Sequence, residues 1–322
     1  MDIMFLSSGF KGLNDWWRYL LGVLVIATFY IAGSIPLTIA QLVSMNQNPN
    51  IGSDEVKEFK KTMDFGLFGI DKNVGFVLLI SIFVFAIVGL WLVVTRLHKK
   101  NMQEMITPFP EVNFKKIFFG FGLWMLLSLI MELTSYAMAP ETYIFRFDAS
   151  NFIPLLLISL IFLPVQTSFE ELFFRGYLMQ GIAFFSKNKW LPILLSSILF
   201  GFVHGSNPEV AKYGFWTMQI YYVIAGLFLA IITVWDDGLE LALGVHAATN
   251  IFGATLFTYE GSVLQTDSLF ITTEINPSLM TVAFVGRLVV FIAICHKVYD
   301  WPSWRSLIQP VENDPILFSI KN

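Results

Sequence analysis

Long apolar stretches separated by short polar ones set the pattern of this chain. Hydrophobic runs with few or no charges recur at about 17–43, 74–97, 114–138, 152–185, 190–206, 215–235, 238–258 and 279–299. Roughly 20 apolar residues cross the ~30 Å hydrocarbon core of a bilayer as a helix, and a helix satisfies its own backbone polar groups there. The pattern predicts an all-α fold, a multi-pass transmembrane helical bundle of about eight spans. Pro36 lies inside the first run and predicts a kink. Pro164 removes a backbone donor in the middle of the fourth run, which is too long for one straight span and should bend or break there. The fifth run, with Pro192 near its start, is short.

The polar segments orient the bundle. With the N-terminus inside, the inner segments hold twelve Lys and Arg, Lys321 among them, and the outer ones hold six. That excess predicts a cell-membrane protein with both termini cytoplasmic. The interval 44–73 mixes acidic residues with four lysines and reads as an external loop with an amphipathic turn. It belongs to an N-terminal membrane region over 1–150, followed by a core over 151–260. A last span and a cytoplasmic tail make up 261–322. Asp2 precedes any basic residue and the first apolar run exceeds a signal-peptide core, so that run is expected to stay as the first span.

Composition excludes whole function classes. Of 322 residues, 56% are hydrophobic and 14% charged, with a mean hydropathy of +0.66. A typical soluble domain carries about 25% charged residues, so a water-soluble enzyme, a disordered tail and a nucleic-acid binder with a basic face are all excluded. The single cysteine, Cys295, rules out an intramolecular disulfide and any Cys-x-x-Cys site.

Charges placed inside the bilayer are costly and mark functional candidates. They are Glu132, Glu170, Glu171, Arg175, His204, His246 and Arg287. Glu171 and Arg175 stand four apart on one helix face and can pair, which suits a scaffold. Glu170 points about 100° away, gains less from that cation, and is the better placed of the two for general-base work. His98 and His296 fall at predicted membrane boundaries and read as interfacial. Ser197, Gly201 and Gly205 form a small-residue stripe bordered by His204, and Gly244 and Ala248 form another beside His246 and Asn250. Such stripes let helices approach closely. A rise of about 1.5 Å per residue places Glu170, His204, Asn250 and His246 roughly 24, 21, 18 and 12 Å from the inner edge, compatible with one cavity.

These residues form three motifs: Glu170-Glu171-x-x-x-Arg175, Phe200-x-x-x-His204 and His246-x-x-x-Asn250. On successive hydrophobic helices they resemble the CPBP family, the type II CAAX prenyl endopeptidases and bacteriocin-processing (Abi) intramembrane proteases. The resemblance covers about 165–252 and implies a protease-like core within 151–260. It implies that Glu170 activates water, His204 helps to hold it, and His246 and Asn250 stabilise the oxyanion. Glu171 and Arg175 then support the site and Phe200 packs. One Glu and two His also match a zinc ligand set, so zinc on Glu170, His204 and His246 is the alternative to the favoured metal-free mechanism. There is no His-Glu-x-x-His run, hence no zincin helix. The implied partner besides the membrane is a peptide or protein substrate, lipid-modified or bacteriocin-like, and not nucleic acid. The competing function is a non-catalytic bacteriocin immunity or membrane-binding protein of the same fold. A proton-coupled transporter is disfavoured because no inverted repeat is visible.

Overall fold

Each apolar run folds as helix in the computed structural model, which describes residues 5–311. Asp2 and Lys321, used in the reading of targeting and orientation, lie outside the described residues. Helix α1 (Trp16–Gly33) and helix α2 (Ile35–Gln47) part at Ser34, where Pro36 occupies the first turn of α2. A missing N–H is harmless at that position. Helix α3 (Ser53–Thr62) is the amphipathic element of the 44–73 interval. It has Asp54 and Glu55 at its start and Lys60 and Lys61 at its end, as the helix dipole prefers. Phe59 packs beneath it against Phe65 and Phe68.

Helix α4 (Lys72–Leu92) is capped by the Asp71 carboxylate, which accepts from the Val74 N–H at 3.1 Å, and runs on as a π-helical turn to Leu97. Helix α5 spans Phe114–Met138 and α6 spans Ala149–Glu171. The expected break at Pro164 is absent: α6 runs through it and instead widens into a π-helical segment, Leu172–Met179, before α7 (Gln180–Ser186). The remaining helices are α8 (Trp190–Val203), α9 (Pro208–Tyr213), α10 (Phe215–Asp236), α11 (Glu240–Thr255) and α12 (Pro277–Tyr299). Three short strands, β1 (Tyr143–Phe145), β2 (Phe257–Tyr259) and β3 (Phe270–Thr272), close one end of the bundle. Central β3 pairs antiparallel with β1 and parallel with β2.

The span count is six rather than eight among the described residues: Trp16–Gln47, Lys72–Leu97, Phe114–Met138, Ala149–Ser186, Phe215–Asp236 and Pro277–Tyr299. Two of the predicted runs are real helices that are too short. Helix α8 has 14 residues, about 21 Å at 1.5 Å each. Helix α11 has 16 residues and is buried along nearly its whole length. Its Leu241, Ala242, Val245 and Ala248 pack with Trp124 of α5, Phe228 of α10 and Phe291 of α12. Its Ile251 and Ala254 pack with Leu155 and Leu163 of α6 and with Phe76 and Ile80 of α4. The spanning helices instead leave Leu24, Ile130, Ile161 and Val289 exposed on their outer faces, the apolar surface that lipid covers. Helix α11 is therefore the hydrophobic axis of the molecule, with no lipid face of its own.

Two close approaches fix this arrangement. A Cβ on Gly244 would lie 2.1 Å from the Ile117 carbonyl oxygen, and one on Gly226 would lie 2.9 Å from the Ser197 Cα. Only glycine lets α11 lie this near α5, and α10 this near α8.

Candidate active site

The last turns of α6 and its π-helical extension deliver the charged residues to the flank of α11. Glu170 and Glu171 are adjacent, so their side chains diverge, and the His246 ring of α11 sits between them. Glu171 Oε1 accepts from His246 Nδ1 at 2.6 Å and from Arg175 Nη1 at 2.9 Å. The opposite ring nitrogen, His246 Nε2, stands 3.4 Å from Glu170 Oε2. A carboxylate facing Nδ1 can only accept, so Nδ1 carries a proton, and Nε2 faces a second carboxylate, Glu170.

Arg175 is fully buried together with Glu171. Its Nη2 donates to the Gly226 carbonyl at 3.1 Å, and its guanidinium lies 4.5 Å from the centre of the Phe200 ring. A buried ion pair is tolerable only with such further hydrogen bonds. Phe200 contacts the His204 ring at 4.4 Å and the His246 ring at 6.0 Å. Glu171 and Arg175 pair as their four-residue spacing allows.

Glu170 is held from its own helix. Gln166, one turn back, donates through Nε2 to Glu170 Oε1 at 2.8 Å, and its Oε1 accepts from Asn250 Nδ2 at 2.8 Å. Glu170 Oε2 accepts no hydrogen bond from the described residues. Glu170, Gln166 and His246 are buried, and Asn250 is half-buried.

His204 lies at the end of α8, where the chain tightens into a 3₁₀ turn over His204–Ser206. Its Nδ1 donates to the Phe200 carbonyl at 2.6 Å, which leaves Nε2 as the free acceptor of the neutral ring. The Tyr222 ring of α10 covers it at 4.6 Å. The Tyr222 hydroxyl donates to the Glu209 carboxylate and accepts from Asn207 Nδ2 at 3.0 Å. Burial raises the Glu209 carboxyl above its ordinary range, opposed by the Tyr222 hydrogen bond.

The structure thus gathers Glu170, Glu171, Arg175, Phe200, His246 and Asn250 into one contact network, with His204 beside Phe200. It leaves two predicted intramembrane charges elsewhere. Arg287 donates to Ser128 at 2.8 Å and stacks 4.4 Å over Trp124, while Glu132 accepts from the Tyr143 hydroxyl at 2.8 Å. His98, just past the span that ends at Leu97, is buried, held by the Leu13 carbonyl at 2.7 Å and the Tyr177 hydroxyl at 3.0 Å.

Sequence reasoning passed over Gln166, Tyr222 and Glu209. Gln166 carried a usable signal, a polar residue in an apolar run one turn before Glu170. Tyr222 and Glu209 carried none, because only the meeting of α9 and α10 pairs them.

Zinc on Glu170, His204 and His246 would have to use Nε2 of each ring, because His246 Nδ1 and His204 Nδ1 are engaged by Glu171 and the Phe200 carbonyl, the arrangement a zinc-binding histidine commonly has. Among the described residues no three His, Cys, Asp or Glu side chains come together as a metal-holding group.

Comparison with known proteins agrees with the motifs. The family model described as type II CAAX prenyl endopeptidase Rce1-like matches residues 149–252, from the start of α6 into α11. The chain is 35% identical over 286 residues to the uncharacterized protein YyaK of Bacillus subtilis (strain 168), which covers 88% of this chain and 92% of that protein. No solved structure matches. With six span-length apolar helices, this multi-pass membrane protein belongs to the Rce1-like family of type II CAAX prenyl endopeptidases.

Proposed function

We propose that the chain is an intramembrane endopeptidase that hydrolyses a peptide bond with water activated by Glu170. The observation that carries this reading is the placement of His246 between two carboxylates. Glu171 holds one face of the ring at 2.6 Å, and Glu170 stands 3.4 Å from the other, with one carboxylate oxygen uncommitted. Glu171, itself anchored by Arg175, orients the ring. Glu170 removes a proton from water as the hydroxyl oxygen adds to the scissile carbonyl carbon, and later returns that proton to the departing amine. The free Nε2 of His204 accepts a hydrogen bond from the attacking water. Carrying a proton on Nε2 as well as on Nδ1, the His246 imidazolium donates with the Asn250 amide to the carbonyl oxygen as it gains charge. Such donors gain strength in a site of low dielectric. No metal enters this scheme.

The substrate class is a peptide segment presented at the membrane. The family's description names prenylated CAAX substrates, so the test uses the chain reconstituted in vesicles with a farnesylated CAAX-type peptide and with the same peptide lacking the lipid. Cleavage detected by mass spectrometry, abolished in Glu170→Ala and unaffected by a zinc chelator, is expected. Loss of cleavage with chelator, restored by zinc, would contradict the metal-free mechanism. Cleavage undiminished in Glu170→Ala would remove the assigned base.

A further inference from the structure

We infer that Gln166 is a positioning residue that couples the base to the oxyanion donor, an inference that rests on the endopeptidase reading above. Gln166 is the sole described side chain that hydrogen-bonds both Glu170 and Asn250. Its bond to Glu170 stays within α6, and its bond to Asn250 joins α6 to α11 across residues 84 positions apart.

The direction of those bonds is fixed by chemistry. An ionised carboxylate only accepts, so the Gln166 amide must turn its nitrogen toward Glu170. That turns its carbonyl oxygen toward Asn250, and a carbonyl oxygen likewise only accepts. Asn250 must therefore present Nδ2. A flip of either amide would set acceptor against acceptor or donor against donor. The charge on Glu170 thus dictates, through Gln166, which face Asn250 shows. With one Nδ2 hydrogen on Gln166, the other remains for a substrate oxygen. Without Gln166, Asn250 is free to turn its Oδ1 toward that oxygen, and an acceptor there repels developing negative charge.

Burial supports a built link rather than a chance contact. Gln166 and Glu170 are 9% and 8% exposed, and each bond measures 2.8 Å. A buried amide left without partners is costly, so the chain of donors and acceptors stands or falls as a unit.

The test compares native chain, Gln166→Met, Gln166→Glu and Glu170→Ala in vesicles, on the farnesylated peptide or, if the lipid is dispensable, on its unmodified form. Methionine keeps length and packing without polarity; glutamate keeps shape but opposes Glu170 with a second acceptor. Both are expected to lower kcat about 100-fold with KM within about threefold, the signature of lost alignment rather than lost binding. The double exchange Gln166→Glu with Glu170→Gln reverses the donor and acceptor. It should recover the thermal midpoint lost in Gln166→Glu while remaining inactive. If Glu170→Ala is inactive but Gln166→Met keeps the native kcat, this inference is overturned and the endopeptidase reading stands. If Glu170→Ala cleaves like the native chain, that reading fails and the inference fails with it.

Discussion

At the residue scale, the site separates support from chemistry by the partners each carboxylate has: a cation and an imidazole for Glu171, an amide for Glu170. Glu171 is engaged by both Arg175 and His246 and is fully buried, so it serves as a brace. Removing its cation leaves a bare buried charge, and breaking a buried pair costs about 3–5 kcal/mol. Arg175→Met should therefore lower the thermal midpoint sharply and cut the yield of folded protein in detergent. Asn250→Ala, at the half-buried edge of the site, leaves Gln166 Oε1 without its donor and should lower the thermal midpoint while the protein still folds. It is expected to reduce kcat about 100-fold with little change in KM, as loss of one oxyanion donor does; steady-state kinetics on the cleaved peptide checks this. A fall confined to KM would instead make Asn250 a ground-state binding group.

At the element scale, Gly244 is the tightest point between α5 and α11, since an added methyl would meet the Ile117 carbonyl oxygen at 2.1 Å. Gly244→Ala should force these helices apart and destabilise the protein by about 1–3 kcal/mol, read as a lower thermal midpoint. The end of α4 makes a separate prediction. Burial pulls His98 down from 6.5 to about 4, with Lys100 and Arg18 acting in the same direction and hydrogen bonds opposing. The unfolded chain then binds the extra proton as pH falls below about 6.5, so stability is lost on acidification. The thermal midpoint should drop between pH 7 and pH 5, and His98→Leu should flatten that slope. The helices themselves were legible, because apolar length and proline position are local properties. The bounds of α5 were read to the residue, and Pro36 marked the join of α1 and α2. What sequence could not supply was which helices face lipid. Helices α8 and α11, with 14 and 16 residues, are too short to span, and α11 is also packed on several sides by its neighbours, so the count is six rather than eight. The strands β1 to β3 were also missed, since three-residue strands leave no periodic signal.

At the scale of the whole molecule, a ring of lipid-facing helices shelters one short helix whose polar residues meet those of α6. The candidate site was legible because charge is scarce in such a chain, so Glu170, Glu171, Arg175, His204 and His246 stood out singly. Gln166 did not, because an uncharged amide carries no such warning, and its role shows only when α6 and α11 are brought together. The fold thus gathers a carboxylate, two imidazoles and an amide among α6, α8 and α11, and the central claim is that this site cleaves peptides. The most direct test is an unbiased comparison, by mass spectrometry, of membrane and secreted peptides from cells making the native chain and cells making Glu170→Ala at equal level. New peptide termini that require the native chain are predicted, and they should vanish equally in His246→Ala. Identical peptide sets in native and Glu170→Ala cells would contradict the account and favour a binding or immunity protein on the same fold.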